Sequence, residues 1–365
     1  MPAQYRAEVV GSFLRPPDLL KARADHAAGR LSLEELRAAE DRAILGVFEG
    51  QRKAGMPIFT DGELRRGSWL TDMAEAVEGF VADKVILDWK GPGGGFEASS
   101  AQAVGAKLKK IRKLTAHEFP FLKKSAPGPF KITVPAPSNF MVSSYKKGLS
   151  NKFYSTRAEL LQDLVEIVRD EIKWLVAEGA SYIQLDAPFY SHYVDSIQRG
   201  RLQRDGLDPE EEFKKSVAAD NSLLKDIPRH RITTSVHVCR GNSRSRWYTE
   251  GSYDFIAEKL FNLLDVDNFL LEYDTERAGS FEPLRLVPRG KRVVLGLVTS
   301  KTPKLETQDA LCRRIEQAAG YVPLENLAIS TQCGFAAVAA GNLLTIDEQW
   351  RKLELVASTA RKVWG

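Results

Sequence analysis

The sequence predicts an α/β fold, and within that class a (β/α)8 TIM barrel with an insertion between strands two and three. Two observations carry this expectation. Short apolar runs rich in Val, Ile, Leu and Phe recur eight times along the 365 residues, and longer amphipathic stretches separate them; this is the alternation of parallel βα units. A chain of 365 residues accommodates two domains of about 150–200 residues or one enlarged barrel. The eight runs favour one catalytic domain over residues 1–365, with 83–128 inserted in it.

The runs, in order, are Ala7–Phe13, Pro57–Glu63, Phe130–Pro137, Tyr182–Pro188, Ile232–Val238, Asn268–Asp274, Val293–Thr299 and Leu327–Cys333. Their lengths suit strands buried on both faces. Helical periodicity fills most of the gaps, from Leu31 to Ala54, Thr156 to Glu178, Tyr253 to Leu264, Thr307 to Ala319 and Ile346 to Val363. In the second of these, Leu160, Leu161, Leu164, Ile167 and Val168 form the apolar stripe that a helix turns toward a core. Ser32 and Thr156 each precede a Glu by three residues, and Gly55, Gly179 and Gly320 follow three of the helices, as capping boxes and C-terminal caps do.

One stretch departs from the pattern. From Asp83 to Gly128 the chain runs through WKGPGGGFEASS, the basic LKKIRK and a Pro-bounded loop, where one helix would suffice. It reads as a surface excursion, with the basic run Lys107–Lys113 on a solvated helix face.

Composition narrows the function classes. The chain is 43% hydrophobic and 27% charged, which is neither fibrous nor disordered. A formal net charge of +4 over so long a chain gives no case for nucleic acid. The opening MPAQYRAEVVGSFLRPP lacks the apolar core of a signal peptide, and no window approaches the roughly 18–20 apolar residues of a membrane span. The expectation is a cytoplasmic protein without a membrane partner. In a reducing compartment its three cysteines are packing residues, metal ligands or nucleophiles and not disulfides.

In a barrel of this kind the working face is the C-terminal end of the strands, so what each run ends on is informative. The ends are polar: Gly11-Ser12, Asp61-Gly62-Glu63, Asp186, His237-Val238-Cys239, Glu272, Thr299-Ser300-Lys301 and Cys333-Gly334. Two of the three cysteines fall there. His237 and Cys239 are two apart on a strand, so their side chains leave the same face and reach one ion. With Cys333 and a carboxylate from the sixth strand they make a tetrahedral N/S/O set that suits Zn²⁺. Glu272 is the best-placed carboxylate, with Asp274 and Glu276 as rivals, and Cys312 reads as packing.

These residues stand in sequences that permit a comparison. VGSFLRP (Val10–Pro16), TDGE (Thr60–Glu63), IQLDAP (Ile183–Pro188), HVCRGN (His237–Asn242), LLEYD (Leu270–Asp274) and QCGF (Gln332–Phe335) resemble, in order, the catalytic barrel of the cobalamin-independent methionine synthase family. The chain is most similar to the short single-barrel members of that zinc methyltransferase family. The resemblance implies that His237, Cys239, Glu272 and Cys333 hold zinc. It implies that Ser12, Glu63 and Asp186 contact an amino-acid substrate, Glu63 and Asp186 serving catalysis by gripping its ammonium group.

The implied activity is transfer of a methyl group to the thiol of homocysteine, giving methionine, from a methylfolate (the 5-methyltetrahydropteroyltriglutamate type), a methylcorrinoid protein or a related donor. Two departures bear on the donor. The motif after the third strand reads APSNFMVSSY and lacks the family's Trp, leaving Phe140 to stack on a flat donor. The seventh reads VTSKTP and lacks its His, the obvious acid for a folate leaving group. Alternatives are alkylation of a thiol by another electrophile, such as an epoxide or a sulfonium, and a non-catalytic barrel with a structural zinc.

Overall fold

The computed structural model describes residues 5–365, so Met1–Gln4 of the N-terminal stretch read above lie outside the described residues. Between the second and third apolar runs the chain forms an antiparallel hairpin, β1 (Val77–Trp89) and β2 (Gly95–Lys110). Six strands follow: β3 (Ile132–Pro135), β4 (Tyr182–Asp186), β5 (Thr233–Val238), β6 (Asn268–Glu272), β7 (Arg292–Val298) and β8 (Leu327–Thr331). They lie side by side in chain order and pair in parallel. Every residue of β3 to β8 is buried, as strands covered on both faces require.

The first two runs close the ring. Ala7 bridges Ile329 of β8 and Phe59 bridges Phe130 beside β3, both in parallel. Phe13 N–H donates to Gly62 O at 3.0 Å and joins the two runs to each other. The result is the TIM barrel predicted from the sequence. At the mouth end of the second run the chain turns sharply: Gly62 and Glu63 have φ of 72° and 54°.

The helical readings match Leu33–Lys53, Arg157–Ala177, Asp254–Leu263, Gln308–Ala319 and Ile346–Trp364. Ser32 and Glu35 form the full capping box. At Thr156 the hydroxyl accepts from Glu159 N–H, but the Glu159 carboxylate takes Ser155 N–H instead. Gly320 stays right-handed at φ −67°.

The hairpin corrects the reading of the basic run, because Lys107–Lys110 belong to β2 and not to a helix. Within the run exposure alternates, Lys107 and Lys109 facing out while Leu108 and Lys110 are half-buried, a two-residue period that a helix does not produce; further along the hairpin Phe80 packs on Phe140 at 5.8 Å. Lys107 bonds Glu159 at 2.7 Å and Lys113 bonds Asp170 at 2.6 Å, so the run is paired along the helix Arg157–Ala177. Among the described residues, no helix is long and apolar enough to cross a membrane.

Inside the barrel, near the N-terminal ends of the strands, Lys131 and Glu8 form an ion pair at 3.1 Å with neither side chain exposed. Lys131 Nζ also donates to Gln184 Oε1 at 2.7 Å, and Tyr182 OH to Glu8 Oε1 at 3.0 Å. Two buried charges survive there only because each is paired and hydrogen-bonded.

Candidate metal centre

His237 and Cys239 leave the end of β5, and Cys333 follows β8. Their ligand atoms all lie within 4.8 Å of one another, and all three residues are buried. Cys333 donates its S–H to Cys239 Sγ at 3.8 Å. That bond holds the Cys239 thiol well below its ordinary pKa and pushes Cys333 well above its own. Both ring nitrogens of His237 lack a hydrogen-bond partner. Burial pulls the His237 pKa down, but Cys239 and the charges of Asp186 and Glu272 outweigh it and raise it. A buried imidazole with two orphaned nitrogens costs about 1–3 kcal/mol per unsatisfied group, a cost that coordination of an ion removes. The donor set, one imidazole and two sulfurs, fits a borderline-soft cation.

The loops that carry these ligands are tied together. Asn242 Nδ2 donates to Gly334 O at 2.6 Å and Ser300 Oγ to the same oxygen at 2.9 Å. Lys301, at the seventh-strand end, spends its ammonium on Gly241 O, Asn242 Oδ1 and Arg246 O at 2.8, 3.0 and 3.2 Å. Gly334 is needed for close approach: a Cβ there would sit 2.1 Å from Ser12 Oγ.

Glu272 ends β6 but is not in the group of mutually close ligand atoms. Its Oε1 accepts from Arg277 Nε at 2.7 Å and its Oε2 from Arg240 N–H at 2.9 Å. Of its rivals, Asp274 is taken by Arg277 Nη2 at 2.6 Å, and Glu276 is exposed. Cys312 is half-buried on the helix Gln308–Ala319, outside the group.

Ser12, Glu63 and Asp186 are buried around the same mouth. Asp186 ends β4 and stands in register with His237. Burial, then the Glu63 charge, pushes its carboxyl up to about 7. Gln184 orients it: with Oε1 taken by Lys131, the amide NH₂ must face Asp186 Oδ1, at 2.7 Å. Glu63 holds a left-handed backbone, φ 54°, a conformation costly for a side-chain-bearing residue. Its Oε1 accepts from Thr133 Oγ1 at 3.1 Å, and Thr133 in turn accepts from Arg66 Nη1 at 2.9 Å.

The neighbouring arginines are engaged chiefly elsewhere. Arg65 pairs with Glu40, Arg66 forks onto Glu118 at 2.8 and 2.7 Å, and Arg15 donates to the Glu63 and Arg66 carbonyls. The Arg66–Glu63 separation is 3.9 Å. Glu63 thus keeps a long, buried ion pair with Arg66, beside the shorter fork of Arg66 onto Glu118.

Sequence reasoning missed a row of rings at this mouth. Phe189 meets Trp69 at 5.8 Å and stacks on His192 at 4.9 Å; His192 meets Tyr248 at 5.5 Å, and Tyr248 meets Trp89 of β1 at 5.6 Å. After burial, the charge of Cys239 is the largest influence raising the Tyr248 pKa, so the phenol and the metal-site thiol feel each other's charge. The Tyr248 hydroxyl is buried without a hydrogen-bond partner. Phe189 and His192 stand one turn apart on the segment after β4, but Trp69, Trp89 and Tyr248 come from distant parts of the chain, so no local sequence signal joins the row.

A His and two Cys at the C-terminal mouth of a barrel, beside a carboxylate pair, can be compared with known proteins. Residues 121–346 match the family model described as cobalamin-independent synthase, catalytic domain. The chain is 36% identical over 374 residues to the uncharacterized protein YxjH of Bacillus subtilis, covering 99% of this chain and 95% of that one. It is 28% identical over 332 residues to the methionine synthase of Saccharolobus solfataricus, covering 89% and 86%. Among solved structures, the putative vitamin-B12 independent methionine synthase of Listeria monocytogenes superposes with a TM-score of 0.76 at 29% identity, covering 100% of this chain and 99% of that one. On the match of residues 121–346, more than half its length, and on its 36% identity over nearly its whole length to a relative, the chain belongs to the cobalamin-independent methionine synthase family.

Proposed function

We propose that the protein is a zinc-dependent methyltransferase that methylates the thiol of homocysteine to give methionine, acting in the cytoplasm as one catalytic domain over residues 1–365 with 83–128 inserted in it. The observation that carries this reading is the buried cluster of His237, Cys239 and Cys333, with two orphaned imidazole nitrogens, at the barrel mouth. His237, Cys239 and Cys333 would hold the ion, and Glu272 would be the fourth ligand, the one to yield its place to a substrate thiol. A thiol has an ordinary pKa of about 8.5 and attacks carbon only as thiolate, and bound zinc supplies that deprotonated, nucleophilic sulfur.

The protein's own groups do the rest. Asp186 and Glu63 grip the substrate ammonium, and Ser12, pressed against the Cys333-Gly334 turn, lies beside them to bind the substrate. In the transfer a sulfur–carbon bond forms as the donor–carbon bond breaks in line, and the bonding pair leaves with the donor atom. Thr133 and Gln184 keep the two carboxylates aimed while this happens. The ring row from Trp69 to Trp89 shields the sulfur from water on the open side, where solvent would weaken the charge contacts.

The donor follows from the seventh-strand end. All three ammonium protons of Lys301 are spent on Gly241, Asn242 and Arg246, and the family's His is absent there. A donor whose leaving group departs without needing a proton, such as a methylcorrinoid, fits better than a methylfolate. The test is an assay of purified zinc-loaded protein with homocysteine and, separately, methylcobalamin, methylfolate and a simple sulfonium. Methionine formed from methylcobalamin supports the reading; no methionine from any donor, with homocysteine bound, overturns it in favour of another electrophile or a structural zinc.

A further inference from the structure

Glu272 presents an arrangement that a simple metal ligand does not need. The guanidinium that holds its Oε1 is itself clamped. Arg277 Nη2 donates to both oxygens of Asp274 at 2.6 and 2.7 Å, the guanidinium lies 4.8 Å from the centre of the Trp247 ring, and the Arg277 carbonyl accepts from Gly251 N–H at 2.8 Å. A planar fork held by a carboxylate and a ring, on a backbone tied to Gly251, is a preformed receptor for a carboxylate. The second oxygen is taken by the N–H of Arg240, the residue that directly follows Cys239. The carboxylate therefore stands beside the metal centre, fully buried, with both oxygens satisfied away from it.

We propose that Arg277, with the Arg240 N–H, is a dock for Glu272 that competes with the metal. Glu272 bonds the metal while the fourth position is otherwise empty and lies on the dock once a substrate thiol takes that position. In the exchange the metal–oxygen bond breaks, a metal–sulfur bond forms, and the thiol proton leaves to solvent. The inference rests on the zinc and thiol reading above and adds to it a residue that never touches either ligand. Its physical basis is the high cost of an under-satisfied buried carboxylate: without Arg277, thiol entry would leave Glu272 Oε1 buried with no hydrogen-bond donor, only the Arg240 N–H remaining on Oε2. Arg277 is thus a positioning residue that sets thiol affinity through Glu272, and Asp274 sets the position of Arg277.

The test uses zinc-loaded full-length protein without a methyl donor and reads two affinities: zinc by chelator competition and homocysteine by calorimetry. With the dock removed in Arg277→Met, zinc should bind about tenfold more tightly and homocysteine about tenfold or more weakly, and both changes should vanish when Arg277→Met is made in a Glu272→Gln background. Arg277→Lys, which keeps the charge opposite Asp274, should fall between and guards against a misfolded Met variant. Unchanged affinities in both Arg277 variants, or the same losses with Glu272→Gln present, would overturn the dock. If the wild type binds zinc but not homocysteine, the functional reading fails, and the zinc arm alone still decides the dock: tighter binding in Arg277→Met only when Glu272 is present supports it, and no change overturns it.

Discussion

Cys239 and Cys333, 94 residues apart in the chain, are brought within 3.8 Å of each other, sulfur to sulfur, where β5 and β8 open onto the barrel mouth. Each is useless as a metal ligand alone, and the barrel's closure is what joins them. Cys239→Ser and Cys333→Ser should therefore each lose stoichiometric zinc, while Cys312→Ser, on an outer helix, keeps it. Metal analysis of the three purified variants checks this. Retention of full zinc by either of the first two would remove the ligand assignment.

Asp186→Asn and Glu63→Gln keep size and most hydrogen bonds but remove the charge facing the substrate ammonium. A hydrogen bond to a charged group contributes about 1.5–3 kcal/mol, so KM for homocysteine should rise about tenfold to a hundredfold, with a smaller change in kcat. Steady-state kinetics decide it. A change confined to kcat would mean that the carboxylates act on the transferred group and not on substrate binding.

Arg66 forks onto Glu118 and also holds Thr133, both fully buried or nearly so. Removing one partner of such a pair strands a buried charge, at about 3–5 kcal/mol. Arg66→Met should lower the urea-unfolding free energy by that order, and because Thr133 then loses its anchor, it should also raise KM for homocysteine. A stable variant with normal KM would show that Glu63 is positioned by its own backbone alone.

Asp220 lies fully buried beneath the site, accepting from the Ser138 hydroxyl and from Tyr190 OH at 2.6 Å each. Burial outweighs these donors and pushes its carboxyl from 3.8 up to about 6. The folded state thus holds the proton more tightly than the unfolded chain does. The protonated carboxyl stabilises the fold below about pH 4, and that contribution is lost as pH rises through about 6, for a total of about 3 kcal/mol. Urea unfolding at several pH values should show the wild type losing about 3 kcal/mol relative to Asp220→Asn as pH rises from about 4 to above 6, because the amide cannot ionise. A difference independent of pH would refute the shift.

Much of this was legible in the chain. The six regular strands and five long helices announce themselves by apolar runs and by period, and the strand ends name the His and both Cys because a barrel gathers its strand ends at one mouth. Three features were not. The hairpin β1–β2 hides its alternation behind a Gly-rich turn and a lysine run that also suits a helix surface. The ring row is assembled from segments far apart in sequence, so only the folded chain joins Trp69 to Phe189 and Tyr248 to Trp89. Arg277 looks like an ordinary surface charge in a polar turn; that it clamps Glu272 depends on the course of the chain after β6.

The most direct test of the central claim is X-ray absorption at the zinc edge of the zinc-loaded protein, with and without homocysteine. The account predicts two sulfur ligands in the resting protein and three when homocysteine is bound, with one oxygen ligand lost. An unchanged ratio of sulfur to nitrogen and oxygen ligands would contradict zinc activation of the thiol.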